Sequence, residues 1–388
     1  MLCLMKSSAT RPRRHKWFET FSLFLAIVTV SGCGSLSDWR HPREAASVHV
    51  PVPSDRFLLP PEGVDIVGNV QITAAHQEDT LLDIARRYDL GYEEIIAANP
   101  SVDPWLPGKD TSVVLPTQFI LPGQEREGLV LNLASMRLFY FPKPEPGQLA
   151  EVITHPIGIG REGWRTPQGT TRITQKIEKP AWTVPESVRR EHVRQGDPLP
   201  HIVPPGPDNP LGEFAMRLSR PQYLIHGTNK PWGVGIRVSH GCVRLYPEDI
   251  SRLFPQVPVG TQVRIINEPY VVGWRDGQLY LEAHQPLSED ARRWKGSLEP
   301  MEKAVETKAS DLPVEVSWKK ARKIAGQAHG IPVPVAPGSP DLAEILVKAP
   351  QVPSTPPWAP LSYERENTLK PTPSEDKRVD NENGFPPS

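Results

Sequence analysis

Proline is the feature that most constrains this chain, since 46 of its 388 residues are proline, about 12% against a usual value of about 5%. Across residues 128–269, proline and glycine separate short runs rich in valine, isoleucine, threonine and aromatic residues: LVLNL, RLFYF, EVITHPIGIG, TTRITQKI, QYLIHG and TQVRIIN. Such runs are typical of β-strands, and long amphipathic helices are missing here. The pattern predicts a mainly β fold with a β-rich, sandwich-like domain.

Composition excludes several classes of protein. The formal net charge is −1 and no basic block stands out beyond the first residues, which argues against a nucleic-acid-binding protein. Only three cysteines are present, Cys3, Cys33 and Cys242, too few for a disulfide scaffold or a cysteine-rich zinc module. No stretch approaches the roughly 20 apolar residues of a membrane-spanning helix, so a multi-span membrane protein is excluded.

The N-terminus has the pattern of a secretory signal. Basic residues at positions 11–16 precede the ten-residue apolar run FSLFLAIVTV, which ends in Ser31, Gly32 and Cys33. A run this short predicts a signal peptide over residues 1–32 rather than a resident membrane helix. The VSGC tetrapeptide resembles a bacterial lipobox, which implies that Cys33 is lipidated and becomes the mature N-terminus; ordinary signal-peptide cleavage beside an incidental cysteine is the alternative.

Export and lipidation together predict a location in the periplasm or cell envelope. The residue after Cys33 is Gly34 rather than aspartate. By the same resemblance, this implies anchoring in the outer membrane rather than the inner one. Residues 33–66 are polar and contain prolines, as expected of a linker between a lipid anchor and the first domain.

Residues 67–122 are predicted to form a small α+β domain. In LLDIARRY, residues Leu81, Ile84, Ala85 and Tyr88 fall on one helical face, with Asp79 or Thr80 as N-cap. A second short helix follows in the IIAANP region and ends before proline. VQITA precedes the helices, and either SVVLP or QFILP supplies the closing strand. EDTLLDIARRY and IIAANP resemble a LysM module, which implies binding to peptidoglycan glycan; a generic α+β domain is the alternative.

Three further segments depart from this β-rich pattern. Residues 180–210 form a long proline-rich interruption, which we interpret as a lid over a cleft because such loops are usually functional. Residues 269–333 contain a hairpin signal, WRDGQLYLEAH, and a helical stretch near SWKKARKIAGQ, and they predict a small C-terminal domain. Residues 334–388 are rich in proline and polar residues and are predicted to be disordered.

A cysteine and two histidines indicate where the chemistry lies. If Cys33 carries lipid, Cys242 is the one free thiol of the mature chain, in the segment VSHGCVRL, and His226 in LIHGT precedes it. A cysteine nucleophile needs a base for its proton and donors for the oxyanion formed by its attack. His226 and His240 are candidate bases, and Gly241 allows close backbone approach, so the amides of Gly241 and Cys242 are expected oxyanion donors. Burial of Cys242 as an inert apolar residue is the alternative.

HGT followed at a distance by SHGCVRL resembles the catalytic signature of the L,D-transpeptidases, the YkuD-type domain. The blocks HPIGIG, RTPQGT, GPDNPLG and FAMRLS lie at matching places. The resemblance implies a YkuD-type catalytic domain over residues 127–268. It also implies that Cys242 is the nucleophile and that His226 is the general base and acid, oriented by the backbone carbonyl of Gly227 in place of a carboxylate.

The resemblance assigns secondary roles as well. His240, Gly241 and Gly227 shape the pocket and the oxyanion hole, although His240 can equally be structural. Arg244 is a candidate clamp for a substrate carboxylate, and the hydroxyl of Ser239 orients its neighbours. No metal ion and no organic cofactor is implied, and the remaining histidines show no metal-ligand spacing.

The implied reaction joins peptidoglycan to an amine. Cys242 attacks the carbonyl of diaminopimelate at position three of a tetrapeptide stem, expels the terminal D-alanine and forms a thioester. The acceptor is a second diaminopimelate or a lysine of an outer-membrane lipoprotein; water as acceptor would make the protein an L,D-carboxypeptidase. A non-catalytic peptidoglycan-binding lipoprotein is an alternative of another class. A papain-like peptidase is disfavoured because there the cysteine precedes its histidine.

Overall fold

The computed structural model describes residues 55–123 and 125–354. No helix within these residues is long and apolar enough to cross a membrane. The predicted signal peptide and the predicted lipidation site Cys33 lie outside the described residues.

The N-terminal half of the described chain contains ten strands and two helices. In chain order these are β1 (Arg56–Leu58), β2 (Ile66–Gly68), β3 (Gln71–Ala74), α1 (Leu81–Arg87), α2 (Tyr92–Ala98), β4 (Ser112–Leu115), β5 (Gln118–Ile120), β6 (Gly128–Asn132), β7 (Arg137–Phe141), β8 (Glu151–Pro156), β9 (Ile159–Gly160) and β10 (Gly169–Glu178).

The C-terminal half has more helix. Its elements are β11 (Trp182–Thr183), α3 (Glu186–Arg194), β12 (Ile202–Val203), β13 (Phe214–Leu218), β14 (Leu224–His226), a 3₁₀ helix (Pro231–Gly233), β15 (Arg237–Ser239), β16 (Val243–Arg244), α4 (Pro247–Gln256), β17 (Gln262–Ile266), β18 (Tyr270–Arg275), β19 (Gln278–Ala283), α5 (Ser288–Trp294), α6 (Glu299–Ala309), α7 (Trp318–Gln327), β20 (Val333–Pro334) and α8 (Leu342–Lys348).

A nine-stranded sheet organises the central part of the described chain and confirms the mainly β prediction. Its strand order is β1-β8-β7-β6-β17-β10-β13-β14-β16, antiparallel except for the β6–β17 and β14–β16 pairs. The long strand β10 pairs with β17 through residues 169–172 and with β13 through residues 173–178. Its register shifts between Ile173 and Gln175, and such irregularities bend a strand. The bend allows β10 to pair with β17 at one end and with β13 at the other.

The predicted strand–helix–helix–strand unit is present at residues 71–115. Thr80 is the N-cap of α1 and forms a capping box with Asp83, while the apolar face of α1 is fully buried. Of the two candidate closing strands, SVVL forms β4 and pairs with β3, whereas QFI forms β5 and pairs with β2. We call residues 66–120 the N-terminal module.

The N-terminal module shares a core with the large sheet. Buried residues of its helices and strands pack in one cluster with Val130, Phe139, Phe141 and Val152 of β6, β7 and β8. The predicted domain boundary at residues 122–127 therefore divides the sequence, but the segments on its two sides share one hydrophobic core.

A buried ion pair also joins the module to the sheet. The guanidinium of Arg137, on β7, makes two 2.8 Å hydrogen bonds to the carboxylate of Glu94, on α2. It also donates to Thr154 Oγ1 at 3.2 Å and to the carbonyl of Asp89 at 2.9 Å. The side chains of Arg137 and Glu94 are only 1% and 5% exposed, so solvent screens this pair weakly.

Two predicted unstructured segments are partly folded. Within the predicted linker 33–66, β1 pairs with β8 and β2 begins at Ile66. The prediction of disorder over residues 334–388 is wrong for residues 334–354. Helix α8 has a capping box at Asp341, and Val352 is buried against the N-terminal module. The average composition of the tail concealed a few well-spaced apolar residues, whose burial stabilises this segment.

The C-terminal part of the described chain contains the hairpin and the helix that the sequence indicates, on a core that extends past residue 333 to Val335. β18 and β19 form an antiparallel hairpin across Asp276 and Gly277. Helices α6 and α7 pack on it around a core that includes Trp274, Leu281 and Met301.

Three ionisable groups are buried where the module, the sheet and α4 meet. His155 Nδ1 lies 3.0 Å from the Asp89 carboxylate and 3.7 Å from that of Asp249. Burial raises the pKa of Asp89 to about 7, raises that of Asp249 well above its usual value, and lowers that of His155. The fold therefore favours the neutral form of each group.

The pH dependence of stability follows from Asp89. Because its folded-state pKa lies above the unfolded value near 3.8, its contribution is fully present below about pH 4 and is lost as pH rises towards 7. His155, with a lowered pKa, contributes in the opposite direction. We expect Asp89→Asn to gain stability relative to wild type as pH rises from 5 to 7.5, measured by urea unfolding. Asp110→Asn is the control, since Asp110 is exposed and shares the positive φ of Asp89; a wild-type-to-Asp89→Asn difference that does not vary with pH would contradict this account.

Candidate active site

The two motifs with the candidate catalytic residues lie on neighbouring parallel strands. Ile225 of β14 is opposite Val243 of β16, and His226 is opposite Arg244. Ile225 and Val243 are buried in the core. Because side chains alternate along a strand, His226 and Arg244 lie on the opposite face from Ile225 and Val243. Cys242 is two positions from Arg244, so it lies on the same face as Arg244. The fold thus brings Cys242, His226 and Arg244 to one surface of the sheet.

His226 is held in one tautomer by the backbone. Its Nδ1 lies 2.6 Å from the carbonyl oxygen of Gly227, as predicted from the resemblance, so Nδ1 carries the proton and donates it. Burial, assisted by the positive charge of Arg244, lowers the pKa of His226 to about 3. The ring is therefore neutral at physiological pH, with Nε2 able to accept a proton.

Cys242 is half-buried and is the free cysteine of the described chain. Its Sγ donates to the carbonyl of Gln222 at 3.5 Å. Burial raises the pKa of the thiol, opposed in part by the backbone of Leu224 and by the charge of Arg244. Thiol and imidazole are therefore both neutral at rest. The proton must pass to an acceptor as the sulfur attacks, because the thiolate is the reactive nucleophile.

Gly241 is required by the shape of the loop before Cys242. Its φ is +106°, and a Cβ there would lie 2.9 Å from the Tyr223 ring. Its amide donates to Ser239 Oγ at 3.1 Å, and Ser239 Oγ donates to the carbonyl of Cys242 at 2.5 Å. The prediction that the Gly241 amide is a free oxyanion donor is therefore wrong for this structure, since Ser239 already occupies it. The Cys242 amide makes no such bond within the described residues.

The HPIGIG and RTPQGT blocks support this loop from below. Thr166 Oγ1 donates to the carbonyl of Gly241 and accepts from the amide of Gly160, both at 3.0 Å. A Cβ on Gly160 would lie 2.0 Å from the carbonyl oxygen of Trp164. These blocks therefore position the loop that carries Cys242.

Arg244 has no ion-pair partner among the described residues, and its Nε is buried without a hydrogen bond. Burial lowers the pKa of its guanidinium, while its backbone exchanges two 2.9 Å hydrogen bonds with Gly158. An arginine fixed in this way, without a carboxylate of its own, is suited to an anionic ligand.

His240 is engaged by a glutamate that the sequence analysis did not single out. Glu191, on α3, places Oε2 3.0 Å from His240 Nε2 and also pairs with Arg161. The ring of Trp164 meets that of His240 edge to face, with centroids 4.7 Å apart. The spacing from buried Val188 to Glu191 puts both on one helical face, which is the signal that could have identified it. Residues 180–210, the predicted lid, contain two histidines of their own. His192 Nδ1 lies 3.3 Å from the carboxylate of Asp197, and His201 is exposed.

Three buried side chains outside the candidate active site form a group that could hold a metal ion. Ligand atoms of Asp89, His155 and Asp249 lie within 4.8 Å of one another. Arg252, however, pairs with Asp249 at 2.7 Å, and a neighbouring guanidinium opposes a metal ion there. The candidate active site does not include these residues.

Comparisons with known proteins show what this chain is similar to. The family model for the L,D-transpeptidase catalytic domain matches residues 126–265. The chain is 40% identical over 293 residues to a Salmonella typhimurium protein named probable L,D-transpeptidase ErfK/SrfK, covering 74% of this chain and 93% of that one. It is 44% identical over 244 residues to probable L,D-transpeptidase YbiS of Escherichia coli, covering 62% and 78% respectively.

Among solved structures, the catalytic domain of an Enterococcus faecium L,D-transpeptidase is similar at 22% identity and a TM-score of 0.27. The match covers 37% of this chain and 100% of that domain.

Proposed function

This chain belongs to the L,D-transpeptidase family, and from that premise we propose that Cys242 and His226 perform its reaction. The chain is an L,D-transpeptidase that acts on peptidoglycan. The observation that carries the assignment is the hydrogen bond from His226 Nδ1 to the Gly227 carbonyl. It leaves Nε2 as the proton acceptor, on the sheet face that also carries Cys242.

The proposed first step forms a thioester. Cys242 Sγ attacks the carbonyl carbon of diaminopimelate at position three while its proton passes to His226 Nε2. The carbonyl carbon then releases D-alanine, whose amine takes the proton from His226. The Cys242 amide donates to the transient oxyanion. Ser239 and Gly241 hold the loop in the required shape, and Arg244 binds a carboxylate of the stem peptide.

The proposed second step transfers the acyl group to an amine. The acceptor amine attacks the thioester carbon, an amide forms, and the sulfur leaves and regains a proton from the attacking nitrogen through His226. A second diaminopimelate or a lysine of an outer-membrane lipoprotein fits this chemistry. Water as the attacking group would give a hydrolysed tripeptide instead.

The acceptor can be identified by mass spectrometry. Residues 34–388 are incubated with a diaminopimelate-containing disaccharide tetrapeptide, with and without a lysine-terminated peptide. We expect release of D-alanine, an adduct on Cys242, and amide-linked products that exceed the hydrolysed tripeptide. If the tripeptide is the sole product, the function is hydrolysis rather than transfer. If neither an adduct nor free D-alanine is detected, the protein is a wall-binding lipoprotein rather than an enzyme.

We also propose that residues 67–122 bind peptidoglycan glycan as a LysM-type module. The order β3-α1-α2-β4 supports this, as do Trp105 and Leu106, which are 60% and 79% exposed in the α2–β4 loop. The Cys242→Ala protein should then co-sediment with purified peptidoglycan, whereas a protein that stays in the supernatant would exclude the proposal.

Envelope anchoring is a separate proposal that rests on the sequence. Lipidation at Cys33 would place the enzyme in the periplasm, attached to the outer membrane. Cys33→Ala should move the protein from the membrane fraction to the soluble envelope fraction; an unchanged distribution would argue against a lipid anchor.

A further inference from the structure

Residues 180–211, which we call the lid segment, form a closed loop with a fixed base. β11 and β12 pair within it. The side chain of Asn209 is fully buried and donates to the carbonyls of Pro180 and Pro204 at 2.7 and 3.0 Å. The two ends of the segment are therefore tied together, and α3 projects from a defined base.

The lid segment reaches the candidate active site at two points. At its C-terminal end the carbonyl oxygen of Leu211 lies close to Gly227, where an added Cβ would be 3.5 Å from it, and the carbonyl of Gly227 accepts from His226 Nδ1. At α3 the carboxylate of Glu191 lies 3.0 Å from His240 Nε2. Gly227 and His240 belong to the two motifs of the candidate active site, so the lid segment contacts each of these motifs.

Glu191 is the acidic residue of α3 that turns inward. Its side chain is 15% exposed and contacts both Arg161 and His240. The other acidic residue of α3, Glu186, is 64% exposed, and among the residues that the structure describes it pairs only with Arg189 on the same helix. The two glutamates thus have the same chemistry on one helix but different positions relative to the site.

The charge of Glu191 is permanent. Hydrogen bonds from Arg161 and His240 lower its pKa to about 2. A carboxylate that accepts from two donors at once makes charge-assisted hydrogen bonds, which are stronger than neutral ones. Among the described residues, Glu191 supplies the polar contacts from α3 to the loops that carry Arg161 and His240.

We propose that Glu191 is a positioning residue that holds the lid segment against His240 and thereby favours attack on the thioester by an amine over attack by water. This inference rests on the proposed function. With the lid held, bulk water has less access to the thioester, and an amine held by the site attacks the acyl carbon. With the lid released, water attacks the same carbon, its oxygen forms the tripeptide carboxylate, and the sulfur leaves as the thiol.

The test compares Glu191→Gln with Glu186→Gln. We expect Glu191→Gln to raise the ratio of hydrolysed tripeptide to amide-linked product by roughly tenfold, the effect of losing one charge-assisted hydrogen bond. Glu186→Gln should keep the wild-type ratio, and Glu191→Asp should restore part of it because the charge remains. If Glu191→Gln partitions like wild type, the inference is overturned.

A second measurement does not need turnover. Trypsin cleavage after Arg194, on α3, reports release of the lid segment, because Glu191 does not adjoin that bond as it adjoins the bond after Arg190. We expect faster cleavage in Glu191→Gln than in wild type or Glu186→Gln, and equal rates would contradict the inference. Failure of the proposed function is distinguishable, because the wild-type protein itself would then form no adduct on Cys242.

Discussion

The Cys242→Ala protein is expected to release D-alanine from a tetrapeptide stem at least roughly 10⁴-fold more slowly than wild type. The thioester requires the sulfur, and the other hydroxyl or thiol of the described SHGC loop is that of Ser239, which is engaged with the Cys242 carbonyl and the Gly241 amide. D-alanine release, followed by mass spectrometry over time, measures the effect.

The Cys242→Ser protein is the matched control for packing. Serine retains nearly the volume of cysteine but is a weaker nucleophile, and His226 with a pKa of about 3 is a weak base. We therefore expect no detectable adduct in either variant, with unchanged thermal unfolding in both. D-alanine release by Cys242→Ala at a wild-type rate would remove Cys242 from the mechanism.

Breaking the Glu94–Arg137 pair should cause the largest loss of stability. Glu94→Ala leaves the guanidinium of Arg137 buried beside apolar side chains, including the Phe119 ring 4.2 Å away. Removing one partner of a buried pair typically costs about 3–5 kcal/mol, and here the capping hydrogen bond from the Gly91 amide to Glu94 is lost as well. Urea unfolding measures the difference in the free energy of unfolding.

Two further variants separate the charge from the packing. Glu93→Ala, on the exposed side of the same helix, should change the free energy of unfolding by less than about 1 kcal/mol. Glu94→Leu combined with Arg137→Met replaces the pair by apolar groups and should recover most of the loss. A small effect of Glu94→Ala alone would mean that the N-terminal module is not stabilised through this contact.

Local patterns predicted the elements that depend on neighbouring residues. The apolar face of α1, the capping by Thr80 and the hairpin at Asp276 and Gly277 follow from spacings of a few residues, where side-chain periodicity and turn preferences act directly. The two motifs that contain His226 and Cys242 also indicated the candidate site from the sequence. In the fold these motifs include β14 and β16, which pair directly.

Contacts between distant segments could not be predicted in this way. Glu94 and Arg137 are 43 positions apart, and Glu191 and His240 are 49 apart. Only the strand order of the sheet and the path of the lid segment bring them together, and neither is encoded in local periodicity. The occupation of the Gly241 amide by Ser239 was missed for a related reason, since it depends on the turn that the positive φ of Gly241 creates.

The position of β17 has a consequence for how this chain folds. β17, at residues 262–266, lies between β6 and β10. On one side of it are the strands that hold the N-terminal module, and on the other are β14 and β16. The two halves of the sheet therefore join only after a segment more than 130 positions beyond β6 has been synthesised, since Leu129 pairs with Val263. Closing a loop of this size slows folding, so the nine-stranded sheet is completed late, by the strand that unites its two halves.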